Sequence, residues 1–307
     1  MNLIPARPRL LGLICGAGAV GMGMAYMVAA GAPSRYLLMN LASLVLGATA
    51  WLALGRVAGS RLANAGPALF ALAVSLLLTA MFGIAVDGAS RWVSVGPLTL
   101  QVSLVVIPVM IVLYARRPDA IGTAGMILAA SALAAQPDSA MAGVLLAGLL
   151  PAAFATRNRG TMTAIAAAAL AFCWTLLTPE RLPAVPYVDR VFFTAFDVHP
   201  LAGFAVVAGA FALVIPALVG MIGGASERPA VLAFGGCWLA MVVAAALGNY
   251  PTPLVGYGGS AVLGYLLSVA LLSHDARKTS RSEAFQTEPD DRRPTPTDLD
   301  LHLAGLA

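Results

Sequence analysis

Long apolar runs separated by short polar segments fill the chain as far as residue 272. A helix needs about 20 apolar residues to cross the hydrocarbon core of a bilayer, and most of the runs approach this length. They lack the alternation of apolar and polar residues that is typical of a membrane β-barrel. The pattern predicts ten transmembrane helices, near residues 10–30, 37–54, 66–86, 98–114, 120–135, 139–155, 160–177, 200–223, 229–248 and 254–272.

The basic residues predict how these helices are oriented, because Lys and Arg are enriched in cytoplasmic loops. With the N-terminus in the cytoplasm, 14 of the 18 Lys and Arg residues lie inside, and the four outside are Arg35, Arg91, Arg181 and Arg190. The predicted fold class is therefore an all-α integral membrane protein with about ten transmembrane helices and both termini in the cytoplasm.

Composition supports the same class of protein. The 307 residues are 60% hydrophobic and 10% charged, with a mean hydropathy of +0.86, whereas soluble domains carry roughly 25% charged residues. The pI of about 9.2 does not indicate a nucleic-acid partner, because the basic residues are scattered between apolar runs. Cys15, Cys173 and Cys237 lie in apolar stretches without metal-binding spacing, so we expect neither a metal site nor a resident cofactor.

A polar segment that contains Pro294 and Pro296 follows the last apolar run. This change of composition divides the chain into a polytopic transmembrane domain, residues 1–273, and a disordered cytoplasmic tail, residues 274–307. The last ten residues contain four leucines, so a short docking segment is the alternative to an unstructured end.

Two segments on the predicted outside contain candidate binding residues. Arg91 and Trp92 stand together in one loop, where Arg offers a planar fork of donors to a phosphate and Trp a face to a sugar or acyl group. The alternative for this pair is an anchor at the membrane interface. Asp138 follows Gln136 and Pro137 in a polar turn, and we expect it to cap the next helix. A functional role for Asp138 requires a cationic or hydroxyl partner.

The longest outside loop, residues 178–200, carries the candidate catalytic residues Asp189 and Asp197 among several aromatic side chains. A carboxylate close to the membrane can act as a general base on a lipid-linked substrate. Asp197 is favoured because His199 is two residues away. The alternative is that both carboxylates only face water.

Two prolines and three glycines between residues 251 and 260 are unusual at the edge of a membrane. They predict a broken or re-entrant helix start, which is tolerated where protein or a water-filled cavity satisfies the backbone. Backbone amides exposed by such a break can bind an anion.

Three segments resemble motifs of the SEDS family (shape, elongation, division and sporulation), the FtsW/RodA group of bacterial cell-wall glycan polymerases. GASRWVSVGPLTLQ at 88–101 is similar to the family's GAxRWIxxGxxxxQPSE, QPD at 136–138 to QPDxG, and PTPLVGYGGSAVL at 251–263 to PLPxISYGGSS. The resemblance covers about residues 60–275. It implies a SEDS-like bundle of ten helices and a substrate-binding role for Arg91, Trp92, Gln101, Asp138, Tyr257, Gly258, Gly259 and Ser260.

The resemblance also implies a cellular location, a ligand and a partner. The protein is expected in the bacterial cytoplasmic (inner) membrane, in contact with membrane lipids, and to serve cell-wall synthesis, division or cell shape. Its expected ligand is an undecaprenyl-linked cell-wall precursor, and its expected partner is a single-span penicillin-binding protein or another envelope protein.

Several positions depart from the family pattern. Leu104 and Ile107 stand where the family has the acidic and basic residues of QPSExxK, Ala140 replaces the glycine of QPDxG, and Gly256 replaces the first serine of ISYGG. The family's LPExHTDFIF segment, to which its catalytic Asp is assigned, has no counterpart, and the loop at 178–200 is much shorter. Losing a carboxylate and a cation together removes most electrostatic stabilisation of a transition state. We therefore favour a binding protein with a degenerate active centre.

Two alternatives stay open. In the first, the protein is an active glycosyltransferase that polymerises lipid II, with Asp197 as the base, Arg91 on the pyrophosphate, and a divalent cation brought by the diphosphate substrate. In the second, it is a transporter whose discontinuous helix near Pro253 lines a solute path, although no internal repeat is visible.

Overall fold

The computed structural model describes residues 8–57, 65–86, 88–96, 98–156, 158–178, 182–222 and 228–272. Within these ranges the chain forms twelve helices and three short strands. The predicted tail, residues 274–307, lies outside the described residues. The helices are α1 (Pro8–Ala29), α2 (Ser34–Val57), α3 (Gly66–Phe82), α4 (Val102–Arg116), α5 (Ala120–Ala135), α6 (Ser139–Thr156), α7 (Arg159–Leu177), α8 (Val191–Val198), α9 (Pro200–Ala212), α10 (Ile215–Ile222), α11 (Arg228–Leu247) and α12 (Gly259–Ala270).

Each of the ten predicted spans coincides with one apolar helix or, for 200–223, with two. The helices α1, α2, α7 and α11 are long and apolar enough to cross a membrane, and α9 and α10, bent by 42° relative to each other, reach this length only together. The helices α3, α4, α5, α6 and α12 are apolar but shorter. The all-α membrane class is confirmed. The number of helices that cross the bilayer and their sidedness stay predictions.

The bend between α9 and α10 has a local cause. Pro216 lies in the first turn of α10 and has no backbone N–H to donate to the preceding turn. The helix α8 was not predicted as a separate element. It lies in the long outside loop and packs against α9, where Phe196 and Phe204 form an edge-to-face pair with centroids 5.4 Å apart.

The segment between α3 and α4 is a β-meander, which corrects the ends of two predicted spans. The strands β1 (Ile84–Val86), β2 (Ala89–Val95) and β3 (Leu98–Gln101) pair antiparallel in the order β1-β2-β3. The predictions that helices include residues 84–86 and 98–101 were therefore wrong. Gly88 and Gly96 adopt positive φ values of 86° and 60° between the strands, a backbone conformation that suits glycine at turns.

The helix α4 lies at the centre of the bundle and contacts α3, α5, α6, α11 and α12. Small residues allow its neighbours to approach closely, as is common for helices in lipid. A Cβ atom at Gly264 of α12 would overlap the carbonyl oxygen of Leu104 on α4. The first turn of the central helix, with Leu104, therefore packs directly against the middle of α12.

Candidate functional site

A small, open cleft lies among the first turns of α4 and α6, the end of α11 and the segment that follows α11. Among the described residues, its lining is mostly apolar and Asp138 is the single charged member. The lining residues are Gln101, Leu104, Asp138, Ala140, Met141, Val144, Met241, Ala244, Tyr250 and Pro251. Pockets for small molecules commonly combine such apolar walls with a few polar groups that fix orientation.

Asp138 stands directly before α6 and caps it. Its Oδ1 atom accepts a hydrogen bond of 3.2 Å from the backbone N–H of Met141, and its backbone carbonyl accepts from Ala142. A carboxylate is favoured here because the first amides of a helix lack partners within the helix. The predicted capping role of Asp138 is confirmed.

Asp138 also has the cationic and hydroxyl partners that a wider role requires. Arg91 places Nη1 3.7 Å from Oδ1 of Asp138 and donates from Nη2 to the carbonyl of Pro137 at 2.6 Å. Ser103 donates from Oγ to Oδ2 at 2.9 Å, and Gln101 donates from Nε2 to the same oxygen at 3.3 Å. We call these four residues, Arg91, Gln101, Ser103 and Asp138, the Asp138 cluster.

The Asp138 cluster is buried. Asp138 and Ser103 have no exposed surface, and Arg91 and Gln101 are 3% and 7% exposed. A buried ion pair holds together because each charge compensates the other, and removal of one partner leaves an uncompensated charge. In this conformation the Arg91 guanidinium is therefore committed to Asp138 and to the turn at Pro137.

The strands carry two predicted residues to this cluster. Trp92 on β2 is opposite Gln101 on β3, so the meander sets Arg91 and Gln101 close to each other. Trp92 is half-buried, with its ring 5.9 Å from the Arg91 guanidinium. The backbone N–H of Gln101 donates to Oγ of Ser260, the buried second residue of α12, at 3.0 Å. The three segments that resemble family motifs thus meet at one place.

The segment before α12 is irregular, which confirms the predicted broken helix start: α12 begins only at Gly259. The fully buried side chain of Asn40 on α2 holds this segment by two bonds. Its Nδ2 donates to the carbonyl of Gly256 at 2.9 Å, and its Oδ1 accepts from the amide of Gly258 at 3.1 Å. Gly259 packs against Ser43, where a Cβ atom would collide with the hydroxyl.

Tyr257 anchors the same segment to α2 and to the outside loop. Its ring stacks on Tyr36 with centroids 4.0 Å apart, and its amide donates to the carbonyl of Tyr187 at 2.6 Å. The amides of Tyr257 and Gly258 are thus used inside the protein, and neither residue lines the cleft. Substrate binding by Tyr257, Gly258, Gly259 and Ser260 stays a prediction.

The outside loop places Asp189 at the rim of the cleft. Asp189 pairs in a β-bridge with Pro251, a residue of the lining, and Thr252 donates to the carbonyl of Val188 at 2.9 Å. Asp189 as a residue is 7% exposed, and its Oδ2 accepts from the amide of Val185 at 2.8 Å. The loop therefore closes along one side of the cleft.

Asp197 lies elsewhere. It is exposed on α8, and no residue of α8 lines the cleft. The expected partner His199 caps α9, where its Nδ1 accepts from the amide of Leu201 at 3.1 Å. Catalysis by Asp189 or Asp197 stays a prediction, and the geometry favours Asp189 over Asp197.

Sequence reasoning did not single out Ser103, Tyr250 or Asn40. Ser103 and Asn40 are polar residues inside apolar runs, a signal that marks function or structure in membrane segments. Tyr250 lines the cleft and hydrogen-bonds through its hydroxyl to Oγ of Ser139 at 2.5 Å.

The two residues that replace the family's acidic and basic positions lie in different surroundings. Leu104 lines the cleft, whereas Ile107 is fully buried.

No protein-family model and no curated protein sequence matches the chain. Its fold is similar to the crystal structure of the rod shape determining protein RodA of Thermus thermophilus. The TM-score is 0.62 at 20% identity, over 85% of this chain and 94% of that one. An aspartate-to-alanine mutant of that protein matches with a TM-score of 0.62 at 18% identity, over 85% and 95% of the chains. The chain is therefore a multi-pass membrane protein with the SEDS-family fold of RodA.

Proposed function

We propose that this protein serves cell-wall synthesis in the bacterial cytoplasmic membrane by binding an undecaprenyl-linked precursor without polymerising it. The RodA-like fold supports the cell-wall assignment and gives no support to the transporter alternative. The cleft supports a lipid-linked ligand, because its walls are mostly apolar and its polar groups are few: Gln101, Asp138 and Tyr250.

The observation that carries the proposal is that the charged groups beside the cleft, Asp138 and Arg91, are bound to each other and to neighbouring residues. A general base needs a carboxylate that can reach the proton it takes, and a leaving diphosphate needs compensating positive charge. Asp138 already accepts from Ser103, Gln101 and Met141, and its ion pair uses the charge of Arg91. Leu104 offers neither a proton acceptor nor a cation. This arrangement suits binding better than glycosyl transfer.

The proposal involves no resident metal. Among the described residues, no group of three or more His, Cys, Asp or Glu is placed to hold a metal ion. A divalent cation enters only with the diphosphate of the precursor, as is usual for nucleotide and diphosphate substrates.

The proposed partner is a single-span penicillin-binding protein or another envelope protein. A single transmembrane helix needs an apolar face that the bundle leaves uncovered. Helix α2 offers such an apolar face, because only 17% of its apolar span is buried in the bundle. Its exposed residues include Leu38, Val45 and Leu46. Membrane lipids cover this face when no partner is bound.

Glycosyl transfer remains the second candidate because Asp189 lies at the rim of the cleft. Its backbone bridges to Pro251 of the lining, so of the two loop aspartates it is the one beside the cleft, where a base for an acceptor hydroxyl is required. In this alternative Asp189, not Asp197, is the residue to substitute first.

Ala244→Trp tests precursor binding in the cleft. The indole would fill space beside Met241 and Tyr250, and we expect the affinity for fluorescently labelled lipid II in nanodiscs to fall about tenfold or more. Val243→Trp is the matched control, because Val243 is 46% exposed on the neighbouring face of α11. Equal affinities in well-folded samples of both variants would contradict the assignment of the cleft.

A further inference from the structure

Arg9 and Trp51 form a buried pair at the end of the bundle where α1 begins and α2 ends. Arg9 is the second residue of α1, and it is 3% exposed, whereas Trp51 is 8% exposed. An arginine at the end of a transmembrane helix ordinarily extends its head group into water. Here the guanidinium instead turns toward the neighbouring helix.

The contacts of the pair leave two N–H groups without an acceptor. The guanidinium carbon of Arg9 lies 4.4 Å from the centre of the Trp51 ring, and Nη2 donates to the carbonyl of Trp51. Nε of Arg9 and Nε1 of Trp51 are both buried, and neither has a hydrogen-bond partner among the described residues. Two neighbouring side chains thus each present an unused donor.

Unused buried donors are rare because each costs the free energy of its lost hydration. In this place the missing acceptor must also match the positive charge of Arg9. A phosphate group meets both needs, since its oxygens accept several hydrogen bonds and its charge pairs with guanidinium.

The position of the pair indicates a lipid as the source of the phosphate. Trp51 lies three residues before Leu54, where the apolar span of α2 ends, so the pair lies at the depth where the hydrocarbon gives way to headgroups. Leu10 and Leu52, the chain neighbours of the pair, are 43% and 52% exposed and can contact acyl chains. Free phosphate would use the same donors but not these apolar side chains.

We propose that Arg9 and Trp51 bind the phosphodiester of an anionic phospholipid at the end of the bundle where α1 begins. The basic-residue pattern predicts that this end faces the cytoplasm. The site is separate from the cleft, which lies next to the outside loop, so the lipid and the cell-wall precursor bind independently.

Trp51→Phe tests the site because it keeps an aromatic ring beside Arg9 and removes the indole N–H together with the second ring. With phosphatidylglycerol titrated into the detergent-solubilised full chain and followed by native mass spectrometry, we expect the affinity to fall about tenfold. Arg9→Gln should weaken binding at least as much. Trp174→Phe and Arg228→Gln are the matched controls, because both side chains are exposed, and they should bind as the wild type does.

Two results would overturn the proposal. Equal phosphatidylglycerol affinity in Trp51→Phe and Trp174→Phe would show that the indole N–H does not contact the lipid. Inorganic phosphate that binds with the same dependence on Arg9 and Trp51, while phosphatidylglycerol does not compete with it, would show that the site takes a free anion.

Discussion

Arg91→Met is expected to lower the free energy of unfolding by about 3–5 kcal/mol, because it leaves the buried Asp138 carboxylate without its cationic partner. Unfolding by SDS in mixed micelles, followed by circular dichroism, measures the loss. Arg228→Met is the control. Arg228 is exposed at the start of α11, and substitutions at such positions usually change stability by no more than about 0.5 kcal/mol.

The double variant Arg91→Met/Asp138→Asn separates a structural role of Arg91 from a role in substrate binding. Asparagine keeps an oxygen for the amide of Met141 but carries no charge, so the double variant should be more stable than Arg91→Met alone. We expect it to retain affinity for lipid II. If Arg91→Met is as stable as the wild type, or the stable double variant loses the ligand, Arg91 serves the substrate and not the fold.

Asn40→Ala is expected to lower the free energy of unfolding by about 2–4 kcal/mol. It leaves the buried carbonyl of Gly256 and the partly buried amide of Gly258 without the two bonds that Asn40 provides. Binding of lipid II should weaken too, because the segment held by Asn40 continues from Pro251 in the lining of the cleft. SDS unfolding and the nanodisc binding assay measure the two effects.

Asn249→Ala is the matched control for Asn40→Ala. Asn249 is exposed at the other end of the same segment and makes one long bond of 3.4 Å to the carbonyl of Leu182. We expect its removal to change neither stability nor binding measurably. Similar losses in the two asparagine variants would contradict the role of Asn40 as the anchor of the segment.

The helices were predictable from the sequence because each apolar run is long and lacks charge. The β-meander was not, because apolar residues at its two ends continue the runs on either side, and the polar residues and glycines between them predict only a loop. Residues 84–86 and 98–101 were therefore predicted as the ends of two helices. A run of apolar residues alone does not distinguish a short strand from the end of a helix.

Part of the candidate site was predictable as well. Asp138 caps α6 as its place in the turn suggested, and the prolines and glycines before α12 correctly indicated a broken helix start. The sequence could not show that Arg91 pairs with Asp138, since the two residues are far apart in the chain. Nor could it show which loop aspartate lies beside the cleft, because that depends on the backbone bridge between Asp189 and Pro251.

Precursor binding without polymerisation is tested most directly by incubating the purified protein with lipid II and a divalent cation. Bound lipid II is measured in nanodiscs, and products are separated on a gel beside those of an active SEDS polymerase. Asp189→Ala and Asp197→Ala are analysed in parallel. We predict saturable binding with no polymer in any sample. A glycan polymer that is made by the wild type and lost in Asp189→Ala or Asp197→Ala would contradict our proposal and establish an active glycosyltransferase.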